Sequence, residues 1–276
     1  MIKKLLFAMT LTVQIFGCGQ NPMNKESFEH EQIHLPKDEI IKYLSSMRIL
    51  FGHQSVGSNI LAGVKKINLK TSIENIPIFP LRENDPLMEA GIYGFKVGRN
   101  GDANGKINDF NLKIRSGLGK KVDIAFFKLC YVDIEGNTDI EKLFAHYRDV
   151  IEGLREDYPQ VRFAHITVPL VAVQTGPKAW IKKMIGRTPY GTEDNLKRNK
   201  FNRMLISTFS GKEPIFDLAR IESTREDGSR ETIQIKGEEV FVLVPEYTND
   251  GGHLNEKGQR IVASEFLSFL AEASGG

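Results

Sequence analysis

Apolar positions along the chain follow two periods. Runs of strand length stand at 48–52 (RILFG), 73–79 (IENIPIF), 122–129 (VDIAFFKL), 161–168 (VRFAHITV) and 214–218 (PIFDL). Between them lie segments of helical period at 38–47, 56–68, 107–118, 139–157, 193–209 and 255–272. The run 122–129 is apolar on both faces, as a central parallel strand must be. In 139–157, Ile140, Leu143, Phe144, Tyr147, Ile151 and Leu154 fall on one face of a helix. Strand and helix alternate throughout, which predicts an α/β fold: a three-layer α/β/α sandwich on a five-stranded parallel sheet, in the flavodoxin-like order 2-1-3-4-5. Residues 229–244 (SRETIQIKGEEVFVLV) read as a small inserted hairpin before the last helix. Ligands of such sheets sit at the carboxyl ends of the strands, and the stretch after Phe51 lies there.

The first residues break this pattern. Lys3 and Lys4 precede an apolar stretch from Leu5 to Phe16, too short to span a bilayer and of signal-peptide length. It ends in Gly17-Cys18, which resembles a bacterial lipobox. The expected organisation is a signal peptide at 1–17, a lipidated Cys18 with a polar tether at 18–36, and one domain at 37–276. That arrangement implies export, with attachment to a membrane through the lipid alone, in the periplasm or at the cell surface.

The chain holds 37 Lys+Arg against 35 Asp+Glu, and two of the lysines lie in the signal segment. The remainder is formally neutral, which leaves no electrostatic footprint for nucleic acid. Of the two cysteines, only Cys130 lies in the domain, so no internal disulfide is expected. His30, His34, His146 and His165 are scattered, and neither a metal nor a cofactor is expected.

Two short stretches could carry chemistry. In RILFGHQSVGSN (48–59), Ser55 stands at a strand-to-helix turn, where it could cap the helix or act as a nucleophile. In TNDGGHLNEKGQRIVASEFLSFL, Asp250 and His253 are three apart in a glycine-rich turn before the last helix. A base histidine needs its second ring nitrogen held by an acceptor, and a carboxylate on the same turn can do that.

A serine after the first strand and D-x-x-H before the last helix resemble the SGNH (GDSL-like) hydrolase superfamily. VDIAFFKLCYVDI resembles its third-strand block, HITVPL its fourth-strand end, KFNRML its asparagine-bearing helix and PIFDLARI its fifth strand. The resemblance implies an ester hydrolase with Ser55 as nucleophile, His253 as base and Asp250 orienting it. The nucleophile block departs from G-D-S, since Gly52 is followed by His53 and Gln54. His53 is either a second functional histidine or a residue that fixes the turn.

The third block departs further. Cys130, Val132 and Asp133 stand where the superfamily has Gly, Asn and Asp. Valine cannot donate to an oxyanion, and losing one such donor costs on the order of 100-fold in rate. Lys128, Tyr131 and Asn100 are candidate substitutes, and Cys130 is an alternative nucleophile. In GFKVGRNGDANGKINDF, Gly98, Gly101 or Gly105 would supply a backbone donor, and Asn100 and Asn104 side-chain donors. The long segment PLVAVQTGPKAWIKKMIGRTPYGTEDN brings Trp180 and Tyr190 to the substrate edge, or uses Trp180 as an anchor. The function expected from the resemblance and the compartment is removal of O-acetyl groups from a cell-envelope or extracellular glycan. A non-catalytic glycan-binding protein and an O-acyltransferase with the same triad are the alternatives.

Overall fold

The structure is a computed structural model and describes residues 46–70, 76–82, 89–174 and 189–275, together with Leu44, Leu87 and Met184. The expectations for Cys18, the tether, Trp180 and most of the helix at 38–47 lie outside those residues.

Strand β1 (Arg48–His53) runs directly into helix α1 (Ser55–Lys70). Its side chains alternate as a pleat requires: Ile49 and Phe51 enter one core, Leu50 the other. β2 (Ile78–Pro80) and β3 (Gly91–Lys96) follow, then α2 (Ala103–Arg115) and β4 (Ile124–Phe127). β4 is buried at every position, with Ile124 and Phe126 on one face and Ala125 and Phe127 on the other. α3 (Ile140–Asp157) is capped by Asp139, whose carboxylate accepts from Lys142 N at 3.1 Å. Its buried face is Ile140, Leu143, Phe144, Tyr147, Ile151 and Leu154, the stripe that the sequence pattern marks.

β5 (Arg162–Phe163) and β6 (His165–Ile166) are separated by Ala164, and α4 (Thr192–Phe209), β7 (Ile215–Phe216) and α5 (Leu218–Glu222) follow. The sheet is parallel throughout, in the order β2-β3-β1-β4-β5, and β6 pairs with β7, also in parallel. β8 (Thr232–Ile235) and β9 (Glu238–Phe241) form the expected antiparallel hairpin. Helix α6 (Glu256–Gly275) closes the domain. One core unites α1 and α6 with the sheet, the other α2, α3 and α4, which gives three layers. Among the described residues no helix is long and apolar enough to cross a membrane.

One strand differs from the sequence reading. On the side where 73–79 was expected, β1 pairs with β3, and the described part of that stretch contributes only to the short edge strand β2. Pro77 and Pro80 bracket that edge, and proline donates nothing to a ladder. With β3 counted second, the flavodoxin-like order holds for β3, β1, β4, β5–β6 and β7, and β2 is an added edge.

Candidate active site

At the carboxyl end of β1, Gln54 makes the turn into α1. Its amide nitrogen donates to the carbonyls of Val97 (2.9 Å) and Gly98 (2.8 Å), tying the segment after β3 to this turn. Ser55 opens α1, half-buried, and its hydroxyl makes no hydrogen bond among the described residues. Asn59 lies one turn along the same helix face. Its Oδ1 accepts from Leu254 N at 3.3 Å, so the face of α1 that bears Ser55 meets the turn that bears His253.

That turn is organised by one carboxylate. Asp250 Oδ1 accepts from Thr248 Oγ1 (3.2 Å), Gly252 N (3.0 Å) and His253 N (2.8 Å). Asp250 Oδ2 stands 2.6 Å from His253 Nδ1. Partial shielding from water works against the charge. The N–H of Gly252 and the ring and backbone N–H of His253 outweigh it and hold the carboxyl well below the usual range. An anion at Nδ1 places the imidazole proton there and leaves the lone pair on Nε2. Nε2 faces the hydroxyl of Tyr131 at 3.3 Å, with the two rings edge-on at 5.7 Å.

Tyr131 begins a single 3-10 turn, Tyr131–Asp133, just beyond β4. Asp133 fixes this turn: Oδ2 accepts from Cys130 N (2.6 Å) and Oδ1 from Gly101 N (2.8 Å). Lys106 Nζ donates to both oxygens, at 2.7 and 2.9 Å, and neither side chain of this ion pair has any solvent access. A buried pair is tolerable when its remaining lone pairs are filled like this. Lys106 Nζ also donates to Asn100 Oδ1 at 2.9 Å, which orients an exposed side chain whose amide nitrogen has no partner among the described residues.

Several expected donors are placed elsewhere. The N–H of Gly98 is taken by Asp109 Oδ2 (2.8 Å) and that of Gly101 by Asp133, so neither is free to hold an oxyanion. Lys128 has no solvent access, and its ammonium donates to Leu129 O (3.1 Å) and lies 3.5 Å from Cys130 Sγ, out of a substrate's reach. Asn104 Oδ1 faces His146 Nδ1 across α2 and α3 at 2.7 Å. His53 is buried against Phe51, its Nδ1 donates to Gln54 O at 3.0 Å, and burial lowers its pKa to about 4. It is neutral near pH 7 and fixes the turn. Cys130 is buried too. No cluster of three metal-ligating side chains forms among the described residues.

No protein-family profile matches the sequence, and no curated protein does. Solved structures with a similar chain path include a putative platelet activating factor from Streptococcus pneumonia, at 16% identity over 84% of this chain and 91% of that one, with TM-score 0.48. A putative lipolytic protein of G-D-S-L family from Desulfitobacterium hafniense DCB-2 matches at 11% identity over 81% and 99%, with TM-score 0.47. A carbohydrate esterase family 3 from Talaromyces cellulolyticus matches at 13% identity over 82% and 97%, with TM-score 0.43. At these identities the likeness is one of chain path, and the site has to be read from its own geometry.

Three contributors escape the sequence reading. Asn59 has a usable signal, its spacing of four from Ser55. Lys106 has none, because a lysine early in a polar helix reads as a solvated face. Arg198, on α4, is 2% exposed, donates from Nε to Tyr131 O and from Nη1 to Asn195 Oδ1, each at 2.8 Å, and pins Tyr131 from behind.

Proposed function

We infer that the protein is a serine esterase of SGNH type. The observation that carries this reading is the Asp250–His253 pair, held at 2.6 Å on a turn tied directly to the Ser55 helix. In this mechanism His253 Nε2 takes the Ser55 proton as Oγ attacks an ester carbonyl. Asp250 keeps the imidazole in the required tautomer and balances its transient positive charge. The first N–H groups of α1 have no acceptor within the helix and serve the developing oxyanion. The amide nitrogen of Asn100, oriented by Lys106, fills the role that Val132 cannot. His253 then returns the proton to the departing oxygen, and water repeats the sequence on the acyl-enzyme.

The substrate class of this proposal is an O-acetylated glycan of the cell envelope or surroundings. The protein reaches it after export and lipid attachment at Cys18, and the exposed Tyr190 borders the sugar. The test is turnover of a short-chain aryl ester together with labelling by a fluorophosphonate. Ser55→Ala should abolish labelling and lower turnover by at least about three orders of magnitude. Asp250→Asn should leave roughly ten to a hundred times more activity than Ser55→Ala, because orientation contributes less than the nucleophile. Equal turnover in wild type and Ser55→Ala refutes serine catalysis.

A further inference from the structure

The Tyr131 hydroxyl occupies the one acceptor position that His253 offers. Asp250 holds the Nδ1 proton, so Nε2 is the acceptor and the phenol donates to it across 3.3 Å. Tyr131 remains a donor near neutral pH, because burial and the nearby Asp250 charge push its pKa up to about 12. Around this hydroxyl stand Asp250 and His253 from the C-terminal turn, Arg198 from α4 and Tyr190 just before it.

The placement is built, not incidental. The Tyr131 carbonyl accepts from the buried Arg198, and its turn is clamped through Asp133. On the other side the ring lies on Gly252, where a Cβ would come within 2.7 Å of the ring's Cζ and 2.9 Å of the hydroxyl. A side chain at position 252 would push the phenol off this place, so glycine there lets it reach Nε2. Ser55 makes no bond to His253 in this resting arrangement, so the phenol must give up the lone pair when the serine is activated. It then stands beside the nitrogen that returns the proton to the departing oxygen.

We propose that Tyr131 is the leaving-group residue of the site: on substrate binding its hydroxyl passes from His253 Nε2 to the ester oxygen that will depart. The inference rests on the esterase reading above. In acylation the Ser55 O–H proton moves to Nε2 as the Oγ–C bond forms and the carbonyl oxygen takes the electron pair. On collapse the bond from carbon to the leaving oxygen breaks, and that oxygen takes the Nε2 proton. Tyr131 O–H donates a hydrogen bond to the same oxygen throughout and transfers nothing. The residue thereby helps poor leaving groups, such as the alkoxide of a sugar or an alcohol, and is dispensable for good ones.

The test compares two esters of one acyl group, ethyl acetate and 4-nitrophenyl acetate, in wild type and Tyr131→Phe. The phenylalanine keeps the ring on Gly252 and removes only the hydroxyl. kcat for ethyl acetate should fall about 10- to 100-fold with KM little changed, while 4-nitrophenyl acetate stays within about threefold. The 15N resonance of His253 Nε2 should move downfield in the variant, as it loses its donor, whatever the turnover. Equal losses on both esters overturn the proposal in favour of an oxyanion or packing role. A rate increase overturns it in favour of a plug on His253. Turnover that depends on Ser55 but ignores Tyr131→Phe overturns this proposal alone. Turnover unaffected by Ser55→Ala overturns the esterase reading and this inference with it.

Discussion

Glu222 carries a carboxyl that burial perturbs strongly, and its ionisation should shape how stability responds to pH. The residue ends α5 with no solvent access. Its Oε2 accepts from Leu170 N at 2.8 Å, and its Oε1 has no partner. Burial drives the carboxyl up to about 8 from an ordinary 4.5, against the pull of that N–H and of the buried cations Lys128 and Arg198. Between those values the folded protein holds a proton that the unfolded chain has released. The stability from this group is therefore present below 4.5 and is lost as pH rises towards 8. Each pH unit in the window costs about 1.4 kcal/mol, so about 3 kcal/mol is gone by pH 7 and nearly 5 once the carboxyl is fully ionised. Glu222→Gln keeps the shape and the acceptor for Leu170 but cannot ionise. Urea midpoints of the two proteins should coincide near pH 4.5 and separate upward, the variant being more stable by about 3 kcal/mol at pH 7. A variant less stable than wild type at pH 8, or a gap that does not change with pH, refutes the reasoning. Either result would mean that Glu222 is buried as an anion paired with Lys128 or Arg198.

Lys106→Met strips the cation from a carboxylate with no solvent access and should lower stability by about 3–5 kcal/mol in chemical denaturation; adding Asp133→Asn should recover part of that loss. Cys18→Ser should release the protein from membranes or block its processing, as read by fractionation and gel mobility; a variant that behaves like wild type removes the anchor from the proposal.

The architecture was largely legible, for reasons that differ by element. β4 announces itself because both its faces are buried, which forces an unbroken apolar run. α3 does so because its six core positions keep strict helical spacing. β3 hides: GIYGFK has two glycines and ends in an exposed lysine, yet it lies between β1 and β2. Gly94 is there because His53 Nε2 fills the space of its Cβ, to within 3.0 Å, a requirement no local pattern can state. The site divides in the same way. Asp250 and His253 are legible because three residues of one turn suffice to make the pair. Tyr131 and His253 meet across 122 residues, and Lys106 and Asp133 across 27, so only the assembled sheet edge shows them together.

The Asp133 carboxylate also sets how the site moves. Its two oxygens take four N–H bonds, from Cys130 three residues past β4, from Gly101 in the loop before α2, and twice from Lys106 within α2. Releasing any one of these segments leaves a buried charge short of donors, so the three come loose together or not at all. The loop that presents Asn100 should therefore open with its partners rather than by itself. Its backbone protons should exchange with solvent together with those at the strand end, at a free-energy cost set by the core rather than by the loop.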